Sequence, residues 1–191
     1  MVFMIIRRAT KEDAHEVVPL VNIILEDMEI PILKEIPLPD LFKVLELAFE
    51  TEDYRYSYGR VQIADIDGKV AGVAFGYPDE DEGHIDHAMS QFFPQIGLPE
   101  STEFFPESEV LPGEWYLDTL AVSPDFQGQG IGTTLLESLP EVARAAGKNK
   151  IGLNVDVRNP KAEKLYTKMG FKTVGNMVIS GHDYHHMQKD I

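Results

Sequence analysis

The sequence predicts one α/β domain built around a mixed β-sheet, and three observations lead to this fold class. The 191 residues, 43% of them hydrophobic, suffice for one sizeable core and are too few to promise two. Strand-like and helix-like hydrophobic periods alternate along the second half of the chain, which implies a parallel strand pair within the sheet. A tight Asp67-Gly68 turn joins two strand patterns in the first half, which adds an antiparallel hairpin.

The first half begins with a strand and two helices. A β-branched and apolar run predicts a strand over residues 2–9, and a Thr-x-x-acid pattern at 10–13 can cap a helix start. Apolar residues then recur at spacings of three and four over 13–28 and again over 40–49, the period of amphipathic helices. Pro19 is expected to kink the first of these helices.

The hairpin comprises strands at 61–66 and 69–77, and a long insertion follows it at about 78–113. The insertion contains five prolines, four phenylalanines and an acidic cluster, without clear periodicity. Structureless loops of this length in compact domains are usually functional or disordered. The pairs Phe92-Phe93 and Phe104-Phe105 favour packing over disorder.

The second half alternates strands and helices. Buried apolar runs predict strands, and amphipathic spacing, with a proline in the first turn of the last helix, predicts the helices between them. In chain order the elements are a strand at 115–122, a helix at 130–146, a strand at 151–157, a helix at 160–169 and strands at 171–180 and 182–188.

The charge of the chain is concentrated in one central segment. With 17 Lys and Arg against 32 Asp and Glu, the formal net charge is −15. Residues 70–143 contain no Lys or Arg and fourteen of the acids, so the rest of the chain is nearly neutral. Such a segment most often only solubilises a protein, but it is also suited to attracting a cationic substrate.

Composition argues against several partners and chemistries. An acidic chain is repelled by nucleic-acid phosphates and anionic membrane surfaces. The absence of cysteine excludes disulfides and thiol nucleophiles, and the six histidines form no convincing helical pair, so no metal site is expected. No run approaches the roughly 20 apolar residues of a membrane span, and the apolar start precedes Arg7 and Arg8 rather than following positive charge, so a cytoplasmic location is expected.

A glycine-rich turn at 127–132, Gln-Gly-Gln-Gly-Ile-Gly, lies between a predicted strand and a predicted helix. Glycines let the backbone approach a ligand, and N–H groups at a helix start bind phosphate. A phosphate-bearing cofactor is therefore expected, although a plain strand-to-helix turn has the same pattern. No Lys follows the glycines as in a P-loop, and a dinucleotide-binding loop would fall nearer the start of the domain.

Three segments together carry a family resemblance: the strand at 116–122, the turn at 127–132, and the series Asn159-x-x-Ala162-x-x-Leu165-Tyr166-x-Lys168-x-Gly170-Phe171. They resemble the GNAT superfamily of acyl-CoA-dependent N-acyltransferases, with weaker similarity at 6–13 and 184–187. The resemblance implies a single N-acetyltransferase domain over residues 1–191 that carries the insertion at about 78–113. It also implies a largely antiparallel sheet of six to seven strands, parallel pairing at the cofactor cleft and helices on both faces.

The resemblance implies that acetyl-CoA is the cosubstrate. Backbone amides of the turn would hold its pyrophosphate, and backbone groups near Leu120 and Val122 would bind the pantetheine arm by strand addition. A main-chain N–H there would polarise the thioester carbonyl. The expected cofactor-binding residues are Leu120, Ala121, Val122, Gln127, Gly128, Gln129, Gly130, Ile131, Gly132, Thr133, Asn159 and Tyr166. Gln127 carries no positive charge, so cationic help must come from Lys148, Lys150, Arg158, Lys161 or Lys164.

Two catalytic residues are expected. The resemblance implies that Tyr166 is the general acid that protonates the departing thiolate, although an aromatic residue on an amphipathic helix more often belongs to the core. An acceptor amine must lose a proton before it attacks. Asp118 is the leading candidate base, because strand alternation places it on the same face as Leu120 and Val122. Otherwise it only binds or positions the ammonium, or caps a hydrogen bond in the sheet. Further candidates are Glu114, the acids at 79–82 and, as proton relays, His84 or His87.

The predicted function is transfer of an acetyl group from acetyl-CoA to a primary amine by direct attack, with a cationic small molecule as acceptor. The insertion would form part of the acceptor pocket, its acids recognising a cation and its phenylalanines an apolar part. Three alternatives stay open: a protein N-terminus or lysine as acceptor, a non-catalytic acyl-CoA-binding sensor, and a nucleotide-binding module. Homodimers are common in the family, but no sequence feature demands one.

Overall fold

In the computed structural model, which describes residues 3–191, the chain forms a seven-stranded sheet and five α-helices. The strands are β1 (Met4–Arg8), β2 (Val61–Ile66), β3 (Lys69–Pro78), β4 (Trp115–Val122), β5 (Lys150–Asp156), β6 (Lys172–Ile179) and β7 (His182–Asp190). The helices are α1 (Ala14–Met28), α2 (Leu38–Phe49), α3 (His87–Ser90), α4 (Ile131–Ala145) and α5 (Pro160–Lys168). Across residues 3–191, none of these helices combines the length and apolarity needed to span a membrane.

The strands follow the order β1-β2-β3-β4-β5-β7-β6. Every neighbouring pair is antiparallel except β4 and β5, which run parallel. Their pairing covers only Trp115–Leu117 against Ile151–Leu153. Beyond these residues the two strands separate, which opens a cleft in the middle of the sheet. The predicted mixed, largely antiparallel sheet with a parallel pair is confirmed.

Helices cover both faces of the sheet, as predicted. On one face α1 and α2 pack with β2, β3 and part of the insertion around a buried apolar cluster. On the other face α4 packs against β2, β3, β4 and β5, with α5 at its margin. The central strands are therefore buried on both sides, in agreement with the near-continuous apolar sequence of β3.

The element boundaries agree with the sequence to within about two residues, apart from the start of the first strand. Val2, where that strand is predicted to begin, lies outside the described residues. α2 begins at Leu38 rather than Asp40, because the chain turns into the helix at Pro37. α1 continues through Pro19 to Met28.

The insertion is packed rather than disordered. It contains α3 and two short 3₁₀ turns at 79–81 and 93–96. Phe93 and Phe104 are buried in the cluster beneath α1 and α2, and Phe92 and Phe105 pack at its edge. The phenylalanine pairs thus anchor the insertion to the core, as expected.

A β-bulge at Asp118 interrupts the alternation that the sequence predicts along β4. Phe75 is paired with Thr119 and Gly76 with Leu117, so Asp118 has no residue opposite it. Leu120 and Val122 pack against the cluster beneath α4, whereas the Asp118 side chain contacts Arg55 on the other face. The prediction that Asp118 shares a face with Leu120 and Val122 is therefore wrong, because alternation reverses at a bulge.

A buried polar network lies beneath the paired ends of β4 and β5. The carboxylate of Glu114 contacts His186 Nε2 at 3.0 Å and accepts hydrogen bonds from Gln188 Nε2 and the Leu111 N–H, both at 2.8 Å. Glu114 and His186 are fully buried. The space for the carboxylate exists because residue 152 is glycine: a Cβ at Gly152 would lie 1.9 Å from Glu114 Oε2.

We expect Gly152→Ala to destabilise the protein by about 3 kcal/mol, because the added methyl must displace a buried, hydrogen-bonded carboxylate. Urea denaturation measures the free energy of unfolding. The matched control is Gly175→Ala in β6, where a Cβ would meet no atom within 4 Å. Equal stability of the two variants would contradict the close approach at Gly152.

Candidate active site

The cleft between β4 and β5 encloses a cavity of about 160 Å³. Its lining includes Leu120 of β4, Asn154 of β5, Tyr166 of α5, Asp118 at the bulge and Glu109 of the insertion. The cavity forms where the strands have stopped pairing, so their facing backbone groups are available to a ligand. Ile24 and Met28 of α1 and Ala162 of α5 also border it.

The glycine turn lies at the end of the cleft, between β4 and α4. Gly128 and Gly130 both have φ of 78°, a left-handed conformation that favours glycine. The first helical bond runs from the Thr134 N–H to the Gly130 carbonyl at 3.0 Å, so the N–H groups of Ile131–Thr133 precede the helical ladder. N–H groups that are free in this way at the start of a helix can donate hydrogen bonds to an anion such as a phosphate.

The turn, the end of β4 and α5 meet at one point. A Cβ at Gly132 would lie 3.7 Å from the Leu165 side chain of α5 and 3.9 Å from Leu120 of β4. The predicted cofactor-binding residues of β4, of the turn and of α5 thus border one continuous region. Their contacts with a cofactor stay a prediction.

The five candidate cations for the cofactor phosphates occupy different parts of the molecule. Lys148 and Lys150 lie at the β5 end that is paired with Trp115, opposite the glycine turn, and Lys148 binds Asp79 at 2.5 Å. Arg158 binds Asp156 at 2.8 Å. The remaining two candidates, Lys161 and Lys164, are exposed on α5 beside the turn.

Asn159 and Tyr166 belong to the same helix, α5. The side-chain Oδ1 of Asn159 accepts a hydrogen bond from the Ala162 N–H at 3.1 Å and so caps the helix start. This bond occupies Oδ1 and leaves the amide Nδ2 as the group that could contact a cofactor. Tyr166 is half-buried, its ring is edge-on to Phe171 at 6.0 Å, and burial raises its pKa to about 12. Its hydroxyl therefore stays protonated at neutral pH.

A buried guanidinium beside the cleft organises four acidic or phenolic groups. Arg55 is 1% exposed, and its Nη1 donates to Asp118 Oδ2 at 2.6 Å and to Tyr77 Oη at 3.0 Å. Its Nε and Nη2 donate to both oxygens of Asp86 at 3.0 and 2.9 Å. Glu109 Oε2 is 3.6 Å from Nη1. The charge of Arg55 therefore offsets carboxylates from β4 and from two parts of the insertion.

Two of the carboxylates that line the cleft, Asp118 and Glu109, differ in their hydrogen bonds. Both oxygens of Asp118 have donors, because Oδ2 binds Arg55 and Oδ1 accepts from the Thr119 hydroxyl at 2.9 Å. Glu109 accepts from the Tyr116 hydroxyl at 3.0 Å. Burial raises the pKa of Glu109 to about 8, against the opposing effect of Arg55.

The other candidate bases do not line the cleft. Glu114 is enclosed in the network with His186. The acids at 79–82 are held in bonds with Lys148, Arg60 and Ser108. Neither His84 nor His87 borders the cavity, and of the insertion only Glu109 does, so the four phenylalanines do not line it.

Sequence reasoning did not single out Arg55 or Glu109. Arg55 stands between two aromatic residues, Tyr54 and Tyr56, an unusual place for a charge unless it is buried and paired. That sequence pattern could have identified Arg55. No sequence pattern distinguishes Glu109, because it is one of many acids in an insertion without periodicity.

Comparison with known proteins identifies the family to which this fold and these sequence motifs belong. The model of the acetyltransferase (GNAT) family matches residues 30–171. The chain belongs to the GNAT acetyltransferase family. Enzymes of this family take the acetyl group from acetyl-CoA, as the sequence predicts for this chain. A solved structure described as an acetyltransferase is 50% identical, with a TM-score of 0.90, over 98% of this chain and 99% of that one.

Two further GNAT relatives are similar over different lengths. The N-acetyltransferase from Staphylococcus aureus Mu50 is 30% identical, with a TM-score of 0.83, over 97% of this chain and 100% of that one. The N-alpha-acetyltransferase RimI of Mycobacterium tuberculosis is 36% identical over 83 residues, which are 41% of this chain and 51% of that protein. The chain thus spans about half the length of this curated relative.

We expect Arg55→Ala to destabilise the protein by about 3–5 kcal/mol, because it leaves buried carboxylates without their counter-charge. Chemical denaturation measures the change. Arg144→Ala is the control, since Arg144 is exposed on α4 and its loss should cost about 0.5 kcal/mol or less. A loss below about 1 kcal/mol for Arg55→Ala would contradict the central role of this ion cluster.

Proposed function

We propose that this chain transfers the acetyl group of acetyl-CoA directly to a primary amine bound in the cleft. The observation that carries the proposal is that Glu109, Asp118 and Tyr166 converge on one cavity beside the glycine turn. The amine nitrogen attacks the thioester carbonyl and forms the C–N bond. The C–S bond then breaks, and the sulfur leaves as a thiolate that takes up one proton.

Acetyl-CoA supplies the activated acyl group in this reaction. The amides at 129–133 would hold its pyrophosphate, with Lys161 and Lys164 as the candidate cations, because they belong to α5, whose Leu165 side chain lies beside Gly132 of the turn. The part of β4 that is paired with β3 but not with β5, from Leu120 to Val122, would bind the pantetheine arm through its backbone on the β5 side.

Tyr166 serves as the general acid in this proposal. It lines the cleft, and its raised pKa keeps the hydroxyl protonated throughout the neutral range. A protonated phenol beside the leaving sulfur can donate its proton as the C–S bond breaks.

Glu109 is the better-suited general base of the two carboxylates. A base must be free to accept a proton at the operating pH, and its efficiency is greatest when its pKa lies near that pH. Glu109, with a pKa of about 8, meets this condition. Asp118, with donors on both oxygens, is better suited to holding Arg55 in place, which modifies its predicted role as base.

The charge of the cavity supports a cationic acceptor. Its lining includes the carboxylates of Asp27, Glu109, Asp118 and Asp156, and within residues 3–191 no Lys or Arg borders it. A cationic small molecule suits such a lining. The acceptor could instead be a protein N-terminus, and the partial similarity to an N-alpha-acetyltransferase favours this second candidate.

Release of free thiol from acetyl-CoA across a panel of amines tests the proposal. We expect turnover with cationic small molecules, and kcat lower by about 10²-fold in Tyr166→Phe, because the proton donor is lost while the ring is kept. Tyr58→Phe, outside the cleft, is the control. Turnover of peptide N-termini alone would favour the second candidate. Tight CoA binding without turnover of any amine would favour a sensor.

The pH dependence of kcat identifies the base. At saturating alkylamine, we expect kcat to rise with pH up to about 8, since Glu109 must be deprotonated to accept a proton. This limb should vanish in Glu109→Gln. In Asp118→Asn the rising limb should remain but move to lower pH, because the negative charge of Asp118 raises the pKa of Glu109 and the substitution removes that charge. The reverse pattern would return the role of base to Asp118.

A further inference from the structure

A row of three polar side chains crosses the sheet at the point where β4 and β5 separate. Tyr116 of β4, Asn154 of β5 and His186 of β7 lie on neighbouring strands, and Asn154 pairs directly with His186. The pairing of β4 with β5 ends one residue beyond Tyr116, at Leu117. Tyr116 and Asn154 line the cleft, whereas His186 is fully buried and does not. The row therefore runs from the cleft into the buried network around Glu114.

The side-chain amide of Asn154 has one possible orientation in this row. Its Nδ2 lies 2.8 Å from the backbone carbonyl oxygen of Glu109 and 3.1 Å from Tyr116 Oη. A carbonyl oxygen only accepts hydrogen bonds, so the group that faces it must be the amide nitrogen with its two hydrogens. Asn154 Oδ1 then faces His186 Nδ1 at 2.7 Å. Because this amide oxygen also only accepts, His186 Nδ1 must carry a hydrogen.

Glu114 holds the His186 ring from its other side. His186 Nε2 lies 3.0 Å from Glu114 Oε2, and the same carboxylate accepts hydrogen bonds from Gln188 Nε2 and the Leu111 N–H. A lone pair on Nε2 would repel a carboxylate oxygen, so one proton lies between these two atoms. The ring is thus hydrogen-bonded at both nitrogens, and the Nδ1 hydrogen stays directed at Asn154.

The fixed amide determines the direction of the Tyr116 hydroxyl. Its oxygen accepts a hydrogen from Asn154 Nδ2, so its own hydrogen is donated to Glu109 Oε2 at 3.0 Å. The same Oε2 lies 3.6 Å from Arg55 Nη1. The hydrogen bonds described for residues 3–191 include none to the other oxygen, Oε1. Tyr116 and Arg55 therefore hold one oxygen of Glu109 and leave the second free to take up a proton.

The row orients these groups and does not conduct protons. The Asn154 amide does not ionise near neutral pH, so a proton taken up by Glu109 cannot pass through it to His186. The effect is electrostatic, because an O–H that donates to a carboxylate favours the ionised form. The Tyr116 hydroxyl thus lowers the pKa of Glu109, in opposition to burial, which raises it to about 8.

Other groups around Glu109 act on the same carboxyl. Arg55, in the segment after α2, lowers its pKa, whereas Asp118 of β4 and Glu82 of the insertion raise it. Tyr77 of β3 accepts a hydrogen bond from Arg55, and burial raises its pKa, so it stays neutral. The remaining titratable groups that border the cleft are two carboxylates and three phenols whose pKa is raised by burial: Asp27, Asp156, Tyr56, Tyr166 and Tyr184.

We propose that His186 is a positioning residue for acetyl transfer: acting through Asn154, it fixes the Tyr116 hydroxyl as the hydrogen-bond donor to Glu109. This inference rests on the proposed function, in which Glu109 is the general base. His186 does not border the cleft, so it influences the reaction only through these bonds. The donated bond keeps more of Glu109 ionised at neutral pH and therefore able to accept the proton of the amine.

Tyr116→Phe tests the donor to Glu109 and keeps the ring. Carbon-13 NMR of the side-chain carboxyl, in the full chain without substrates, measures the pKa of Glu109, and Glu109→Gln assigns its signal. We expect this pKa to rise by about one unit, and the rising limb of kcat to move to higher pH by the same amount. Tyr58→Phe, outside the cleft, should move neither. An unchanged pKa in Tyr116→Phe would overturn the proposal.

A matched pair of variants tests His186 itself. His186→Leu and His186→Asn are similar in size, and both remove the ring and its bond with Glu114, so the effects of that loss are common to both. Asparagine keeps an N–H near the position of Nδ1 that can donate to Asn154, and leucine does not. We expect the pKa of Glu109 to be higher by about half a unit or more in His186→Leu than in His186→Asn. Equal values would overturn the role of His186.

Asn154→Ala gives the same test if His186→Leu does not fold. Asn154 is half-buried, and its loss breaks the link between His186 and Tyr116 from the other side. The pKa of Glu109 should again rise, and an unchanged pKa would contradict the proposal.

The two measurements separate this inference from the proposed function. If the pKa of Glu109 rises in these variants while the limb of kcat stays in place, the positioning role is supported and Glu109 is not the base. If kcat falls while the pKa of Glu109 stays unchanged, the row has only a structural role and the inference is overturned.

Discussion

The ion cluster around Arg55 is the interaction on which the cleft and the insertion both depend. One buried guanidinium binds Asp118 at the bulge of β4 and Asp86 of the insertion, and stands 3.6 Å from Glu109. Its face covers the ring of Phe105. Removing a partner from such a cluster is costly, because the charges that remain are buried without compensation. The insertion is thereby held against the edge of the cleft between β4 and β5.

The cleft itself results from two departures from regular sheet structure. β4 and β5 stop pairing after three residues each, which leaves backbone groups free for a ligand. The bulge at Asp118 then turns that side chain toward Arg55 and leaves Leu120 on the opposite face. A regular strand would place the acid and the apolar residue together, so the bulge separates the carboxylate face from the face that packs against α4.

In the folded chain, several acids of the central segment form ion pairs with bases from outside that segment. Arg55 binds Asp86 and Asp118, and Lys148 binds Asp79 and Glu80. Much of the negative charge of this segment is therefore paired within the fold and is not available to attract a cation from solvent. The acids of this segment that form no described ion pair are exposed at several places, among them Glu100 and Glu103 of the insertion and Glu137 and Glu141 of α4. In the proposed function, the anionic cofactor is held by backbone amides and by the lysines of α5.

Local patterns in the sequence were sufficient for the elements, for the glycine turn and for the family. Helical spacing, the Asp67-Gly68 hairpin and the glycines at 128 and 130 depend on neighbouring residues, so they can be read along the chain. The helix cap at Asn159 is local in the same way.

The tertiary structure alone decided how the charged groups are used. Arg55 lies 63 residues from Asp118 and 31 from Asp86, and no local pattern encodes such pairs. Glu109 becomes a candidate base only because the packed insertion buries it beside the cleft, where desolvation raises its pKa. Burial and long-range pairing are properties of the folded chain, and for this reason the sequence determined the fold and the cofactor turn while the folded structure determined the chemistry of the acids.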